Sequence, residues 1–289
     1  MSEPVRPHRL ILAAILALAT LGAATPARPA AARDDQGAYA GWVIDAYPDM
    51  SSDAMVAALA RMRDAGANFV WIGHNNPVDV DPNAKEVALS YAVYSAFLNA
   101  SDPRNSAAQS IIAAQVRMLD AARSVGLKVV LPISYRTQMG SAWNDTHQAS
   151  LRRGPDGAIL DFDGPDAAPY AGDFREAMQG YYQWIDQQFV APYRDVILMV
   201  MVSNEPTGVD YSTSADSVFF QQFGYHFSDV GADQGRFTQL GYFQSHVMVD
   251  FAMWAAQQWL ALDPAVTVTL AFDGEPARQN EQAPAVEDI

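Results

Sequence analysis

A carboxylate and an amide follow the most apolar segment of the chain. Residues 196–202 are apolar without interruption, and Asn204-Glu205-Pro206 follows after a single serine. The apolar run predicts a buried strand, which Pro206 and Gly208 would end. An apolar strand beneath Glu205 would raise the pKa of its carboxyl group, as a general acid requires, and Asn204 is suited to donate a hydrogen bond to a substrate hydroxyl. An ordinary turn is the alternative, because Asn and Pro are common in turns.

A catalytic pair needs a second carboxylate. Asp273 is one candidate, since it follows the fifth apolar run in Phe272-Asp273-Gly274-Glu275-Pro276. Carboxylates on adjacent strands can reach the separation of such a pair. Asp-Gly is also a common turn signal, and this interpretation is favoured for Asp273. Asp45, after the first run, is equally suited to hydrogen-bonding loop backbone.

Aromatic and polar residues occur at or near the predicted strand ends. Flat aromatic faces suit the C–H faces of sugar rings, whereas packing beneath long loops is the alternative for each residue. Tyr135 and Trp143, which have polar neighbours, are predicted to be exposed platforms. The loop after the fourth run carries seven further rings between Tyr211 and Phe237. The candidate binding residues are Trp42, His74, Asn75, Tyr135, Arg136, Trp143, Tyr211, His226 and Asp273.

Short apolar runs alternate with helical patterns along the chain. Helices are predicted from Ser51 to Gly66, around 111–126, from about 174 to 189 and from 242 to 262. Several runs are apolar on successive residues, as parallel strands covered on both faces require. This alternation predicts a parallel sheet with right-handed crossovers. The five strand candidates are 41–45, 68–72, 128–133, 196–202 and 266–270.

The sequence favours a barrel over an open doubly wound sheet. No G-x-G-x-x-G or phosphate-binding glycine loop follows any of the runs, and long polar and aromatic segments follow the second, third and fourth, where a barrel enzyme builds its site. We therefore predict an α/β fold of the TIM (β/α)8 type. Only about five of the eight units are visible, so the chain would be a truncated product or a fragment of a longer reading frame. Such a partial barrel predicts poor solubility or a dimer.

The region leading to Glu205 resembles that of clan A glycoside hydrolases, which include cellulase-, mannanase- and β-galactosidase-like enzymes. The shared pattern is a helix, the Tyr193-Arg194-Asp195 turn, an apolar fourth strand and Asn204-Glu205-Pro206. The resemblance is moderately specific at 193–206 and only architectural over the rest of 37–276. It implies that Glu205 is the acid/base of a retaining glycosidase, that Asn204 contacts the 2-hydroxyl of the sugar, and that an oligo- or polysaccharide with β-linkages is the substrate.

The sequence departs from this family at two points. The family nucleophile is a glutamate on the seventh strand, and this chain offers no seventh strand, so none is assigned. The family arginine near the second strand is also not evident, because that strand runs into His74-Asn75-Asn76-Pro77. Arg136, after the third strand, is a candidate for the same electrostatic role.

The net charge and the residue composition limit the classes of partner that the protein is expected to bind. The chain has 18 Lys and Arg against 33 Asp and Glu, for a formal charge of −15, which disfavours nucleic acids and anionic membranes. Residues 161–166 hold three aspartates and a glycine, but not in the order of an EF-hand loop, so a solvated loop is expected. No His or Cys spacing suggests zinc and no cysteine is present. We expect neither a metal nor a cofactor.

The first 32 residues have the pattern of an export signal. Arg6 and Arg9 precede the apolar run 10–24, and Ala30-Ala31-Ala32 offers a cleavage site. An uncleaved anchor is the alternative. We expect a secreted or periplasmic protein without a stable membrane span after cleavage. The predicted organisation is a signal peptide at 1–32, a partial barrel at 37–276 and a disordered acidic tail at 277–289.

Three functions fit these patterns. The first is a secreted glycoside hydrolase that uses Glu205. The second is a non-catalytic, carbohydrate-binding or structural barrel remnant, which is suggested by the missing nucleophile. The third is another barrel enzyme, such as a lyase or isomerase acting on a phosphorylated substrate, against which the absence of a phosphate-binding glycine loop counts.

Overall fold

A computed structural model describes seven stretches of the chain, within which the side chains of 42–44, 204 and 271 are not described. Contacts divide the chain into the units Met1–Tyr39 and Ala40–Ile289, and every described residue lies in the second. The predicted signal peptide and acidic tail therefore lie outside the described residues. The seven stretches are 41–44, 49–72, 79–80, 89–134, 136–161, 164–204 and 208–271.

Five strands form one parallel sheet whose spatial order is the order of the sequence. A doubly wound sheet reverses its strand order at a switch point, whereas a barrel adds each strand beside the one before. The observed order is thus that of a barrel wall, and each predicted strand corresponds to an observed one. The strands are β1 (Gly41–Ile44), β2 (Phe69–Ile72), β3 (Lys128–Pro132), β4 (Ile197–Asn204) and β5 (Val268–Ala271).

Seven α-helices occur in the described residues, and all four predicted helices are among them. The last one begins eight residues earlier than expected, at Gln234 instead of 242. A π-helical segment, Asp186–Val190, extends the helix before β4. The helices are α1 (Ser52–Asp64), α2 (Tyr91–Leu98), α3 (Asn105–Val125), α4 (Ser141–Thr146), α5 (Gly172–Ile185), α6 (Thr213–Phe223) and α7 (Gln234–Leu262).

Local signals set several helix ends. The Ser51 hydroxyl accepts a hydrogen bond of 3.2 Å from the amide of Ala54, which caps α1. Gly126 ends α3 with φ 78°, a left-handed conformation that favours glycine. The amide of Leu127 then donates to the oxygen of Ala122 at 3.0 Å, so the chain turns directly into β3.

The hydrophobic core lies between one face of the sheet and the helices. Val200 and Val202 of β4 and Leu131 of β3 are fully buried in it. From the helix side, Phe174 of α5 and Phe251 of α7 meet with ring centroids 5.7 Å apart. The alternation of side chains along β4 is interrupted, because its pairing shifts register against β3 at Val129 and Val130 and against β5 between Met201 and Asn204. Among the described residues, no helix combines the length and hydropathy needed to cross a membrane.

Candidate functional site

The fourth strand ends at the residue where the sequence predicts the site. β4 continues through Asn204, which pairs with Ala271 of β5, so Glu205 follows the carboxyl end of a central strand. Glu205 itself lies outside the described residues. The same holds for four candidate binding residues, and for two others only the backbone is described. The four are His74, Asn75, Tyr135 and Asp273; the two are Trp42 and Asn204.

Two buried serines join the carboxyl ends of β3 and β4. The Ser134 hydroxyl donates to the main-chain oxygen of Val202 at 2.6 Å. The Ser203 hydroxyl donates to the main-chain oxygen of Arg136 at 3.1 Å. Both serines are at most 2% exposed. The last residues of β4 before Asn204 are therefore fixed to the start of the loop that follows β3.

Arg136, a predicted binding residue, has unusual backbone geometry. Its φ is 48°, which makes it the one non-glycine residue with positive φ among those described. Such a conformation costs on the order of 1 kcal/mol and is concentrated at functional sites. The side chain is 6% exposed, and its positive charge opposes the rise in the pKa of Asp166. Arg136 is thus a buried cation near the carboxyl end of β3.

Arg152 forms a buried ion pair within the loop that follows β3 and joins this loop to the one that follows β4. Nη1 of Arg152 donates to Oδ2 of Asp166 at 2.7 Å, and both side chains are at most 4% exposed. Nε and Nη2 of Arg152 donate to the oxygen of Val209 at 3.1 and 2.7 Å. Burial raises the pKa of Asp166, and the two arginines Arg152 and Arg136 oppose that rise. The expectation of a solvated acidic loop at 161–166 is wrong for Asp166, because this carboxylate is turned inward to Arg152.

A second buried carboxylate lies two residues beyond Gly208. Asp210 is 0% exposed and accepts hydrogen bonds of 2.9 Å from both the amide and the hydroxyl of Ser212. Its main-chain groups exchange two hydrogen bonds, of 2.8 and 2.9 Å, with the side chain of Gln244 on α7. Burial raises the pKa of Asp210 despite these donors. The loop after β4 is thereby fixed to α7.

Trp143 is not the exposed platform that the sequence predicted. It is 7% exposed, because its ring stacks on His147 with centroids 4.3 Å apart. The edge of the ring also contacts Phe174 of α5 at a centroid distance of 6.5 Å. Polar neighbours in the sequence suggested exposure, but the short helix α4 turns the indole inward.

The rings after β4 mostly form a hydrophobic cluster rather than an open surface. Phe219 of α6 is fully buried and lies within 5.3 Å, between centroids, of Phe223, Tyr225, Phe227 and Phe243. Here the alternative of packing beneath a loop is the correct one.

Two predicted binding residues lie beside this aromatic cluster. Tyr211 is half-buried with its ring 5.4 Å from that of Phe227. His226 is half-exposed, and its Nδ1 lies 2.7 Å from Oδ2 of Asp216, while its ring stacks on Phe220. Neither residue contacts Ser134, Ser203 or Arg152 in the described hydrogen bonds and ring pairs.

Sequence reasoning missed Arg152, Asp166, Asp210 and Gln244 as members of the site. A basic and an acidic residue 14 positions apart give no local signal of pairing. Gly208 was a usable signal, because glycine favours positions where φ is positive or where another group approaches the backbone closely. Its φ is 101°, and Nη2 of Arg152 occupies the space that a side chain at this position would need. Within the described stretches, no group of three or more His, Cys, Asp or Glu side chains is placed to hold a metal ion.

No protein-family model matches the sequence, and no curated protein does so either. Solved structures do share the fold. The β-galactosidase of Marinomonas ef1 superposes with a TM-score of 0.57 at 14% identity, over 82% of this chain and 38% of that one. The β-galactosidase of the haloarchaeon Halorubrum lacusprofundi gives 0.55 at 13% identity, over 81% and 36%. An α-L-fucosidase of Paenibacillus thiaminolyticus gives 0.51 at 11% identity, over 81% and 32%.

These similarities establish the fold. The chain spans less than two-fifths of the length of each of these glycosidases. At such low identity a shared architecture does not transfer an activity. The predicted α/β class with a TIM-barrel-type parallel sheet is confirmed, and the architecture is that of known glycoside hydrolases.

Proposed function

We propose that the protein is a glycoside hydrolase that cleaves a β-linked glycan with retention of configuration, using Glu205 as its general acid/base. One observation supports the proposal: β4, a central strand of a glycosidase-like sheet, ends at Asn204, the residue before Glu205 in the sequence. This edge is where barrel enzymes place their catalytic groups. The acid/base of the clan A pattern occupies the same position after the fourth strand.

The surroundings of this strand end suit a general acid. Met201 and Ser203 are buried, so the strand below residue 205 excludes water. A carboxyl group held above such a surface keeps its proton to higher pH than one in water.

In the proposed reaction the protonated carboxyl group of Glu205 gives its proton to the glycosidic oxygen as that bond breaks. A second carboxylate, about 5 to 5.5 Å away, attacks the anomeric carbon and forms a glycosyl ester. The ionised Glu205 then takes a proton from the water that hydrolyses this ester. We propose that Asn204 donates to the sugar 2-hydroxyl. Asp273, which follows the neighbouring strand β5, is the candidate that the sequence offers for the second carboxylate.

Replacing Glu205 with Gln tests the function. Loss of the acid should reduce kcat/KM by a factor on the order of 10² to 10⁴ on glycosides with poor leaving groups. Aryl glycosides with an acidic phenol need less protonation and should be affected less. Glu176→Gln, at an exposed position of α5, is the matched control. Equal turnover of both substrate types by wild type and Glu205→Gln would remove the proposal. Polysaccharide binding without hydrolysis by the wild type would favour a carbohydrate-binding protein.

We also propose that the protein is exported. The support is the basic start, the apolar run 10–24 and the small residues at 30–32. Mass spectrometry of protein from the culture medium or periplasm should find a mature chain that begins near Arg33. An intact Met1 in the exported protein would contradict cleavage.

A further inference from the structure

The segment that carries Glu205 is short and has a buried anchor on each side. Only residues 205–207 separate Asn204 from Gly208. On the strand side, the hydroxyl of Ser203 holds the loop after β3 through its bond to the oxygen of Arg136. On the loop side, Gly208 and Val209 lie against the guanidinium group of Arg152. The second anchor thus holds Gly208 and Val209, which follow Glu205 by three and four residues in the sequence.

Arg152 makes this second anchor through three of its donors. Nε and Nη2 converge on the oxygen of Val209, while Nη1 binds Asp166, so the planar group has a single orientation. Nη2 also occupies the space that a side chain at position 208 would need. At 2% exposure the guanidinium group has no solvent into which it could relax.

The anchor is itself attached to the loop after β3 at several points. The amide of Arg152 donates to the oxygen of Asp166 at 2.9 Å, and the hydroxyl of Thr137 donates to the oxygen of Ala167 at 2.7 Å. The amide of Tyr211 donates to the oxygen of Arg153 at 2.8 Å. The loops after β3 and β4 thus form one hydrogen-bonded unit, with Arg152 at its centre.

We propose that Arg152 is a positioning residue: by holding the oxygen of Val209 and packing on Gly208, it fixes the segment 205–207 and thereby the carboxyl group of Glu205. The inference rests on the proposed function for its catalytic part. Its mechanical part, that the arginine immobilises residues 208 and 209, stands on the contacts alone. Arg152 does not touch the substrate in this scheme.

Two variants and one control separate positioning from folding. Arg152→Lys keeps a positive charge beside Asp166 but loses the two-donor hold on Val209, since a lysine ammonium is a compact point charge. Arg152→Met/Asp166→Asn removes both charges of the pair, which avoids leaving one charge buried alone. Arg153→Met is the matched control: its side chain donates to the oxygens of Gly157 and Gln148 at an exposed position.

The first readout is hydrogen–deuterium exchange of the peptide that covers 203–212. Arg152→Lys and the double variant should speed exchange of the amides at 208–210 about tenfold or more, whereas Arg153→Met should match the wild type. Exchange in β3 and α5 reports whether the fold is kept. Unchanged exchange at 208–210 in both Arg152 variants, with the fold intact, would overturn the mechanical part.

The second readout is the pH dependence of kcat/KM on a β-glycoside with a poor leaving group. A loosened and more hydrated Glu205 should lose its proton at lower pH, so the alkaline limb should move to lower pH, and kcat should fall about tenfold or more with little change in KM. Faster exchange together with wild-type kinetics would overturn the catalytic part. If the wild type hydrolyses no glycoside, the proposed function fails, and the exchange experiment alone decides whether Arg152 immobilises residues 208–210.

Discussion

The hydroxyl of Tyr181 donates a hydrogen bond of 2.7 Å to the main-chain oxygen of Ile133, the residue that follows β3. The neighbouring Tyr182 is equally buried, yet its hydroxyl has no hydrogen-bond partner among the described residues. Burial raises the pKa of both phenols, so both are neutral at physiological pH. The two tyrosines of α5 therefore differ mainly in whether the hydroxyl group makes a hydrogen bond.

This difference gives a matched pair of substitutions. Tyr181→Phe removes the donor to Ile133 and should lower the free energy of unfolding by about 1 to 2 kcal/mol. Tyr182→Phe removes a buried hydroxyl without a partner and should change it by less than about 0.5 kcal/mol, or increase it. Urea unfolding of both variants measures the difference. Equal losses would show that the bond to Ile133 contributes nothing.

Gly208 and Gly224 form a second pair. Both have positive φ, 101° and 82°, but a side chain at position 208 would overlap Nη2 of Arg152, whereas the space around Gly224 is open. Gly224→Ala should cost about 1 to 2 kcal/mol, from the left-handed backbone alone. Gly208→Ala should cost at least about 2 kcal/mol more, because the guanidinium group must leave a buried partner. Urea unfolding measures both costs, and similar values would contradict the close packing of Arg152 on Gly208.

The strands, and the end of the fourth strand at Asn204, were predictable from the sequence because they depend on local patterns. Residues 196–202 could be read as a buried strand since every residue is apolar, and Gly126 as a helix end since glycine tolerates a left-handed backbone. The position of Asn204 at a strand end followed from the break at Pro206.

The contacts around the site were not predictable because they join distant parts of the chain. Arg152 and Val209 are 57 residues apart, and nothing local to either residue indicates that they meet. Trp143 has polar neighbours but is buried by its stacking on His147. Phe219 lies in a segment that reads as a loop, yet it packs in a cluster with Phe243 of α7. For these residues, tertiary contacts rather than the composition of the local sequence determine the burial of the side chain.

The buried Asp210 should give a distinctive pH dependence of stability. Burial raises the pKa of this carboxyl group above its usual 3.8, so the folded state holds the proton to higher pH than the unfolded state. The resulting stabilisation is fully present below the unfolded pKa and is lost as the pH rises through the folded pKa. The free energy of unfolding of the wild type minus that of Asp210→Asn should therefore decrease as the pH rises above 3.8.

Asp195→Asn serves as the internal control. The hydrogen bonds from Arg123 lower the pKa of Asp195, so the stability that its carboxylate contributes changes with pH in the opposite direction. The free energy of unfolding of the wild type minus that of Asp195→Asn should increase with pH. The increase should be small, because the ion pair between Arg123 and Asp195 is exposed. Unfolding measured in urea at a series of pH values tests both slopes. A difference for Asp210→Asn that grows with pH would show that the donors of Ser212 outweigh burial.

An exposed apolar stripe on one face of α7 leads us to predict that the chain associates with itself. Tyr242, Val249, Met253 and Leu260 are spaced by seven, four and seven residues, so they share one side of the helix, and each is 45 to 57% exposed. Exposed apolar stripes of this kind promote association. Val249→Glu/Met253→Lys places an acid four residues before a base and should leave the free energy of unfolding within about 0.5 kcal/mol of the wild type.

The fraction of associated protein in sedimentation velocity should fall in this double variant. The control is Val247→Glu/Phe251→Lys, with the same spacing on the fully buried face of α7. It should prevent folding, because both charges would enter the core. A wild type that stays monomeric at all accessible concentrations, or a Val249→Glu/Met253→Lys protein that associates as strongly as the wild type, would show that the exposed stripe does not drive association.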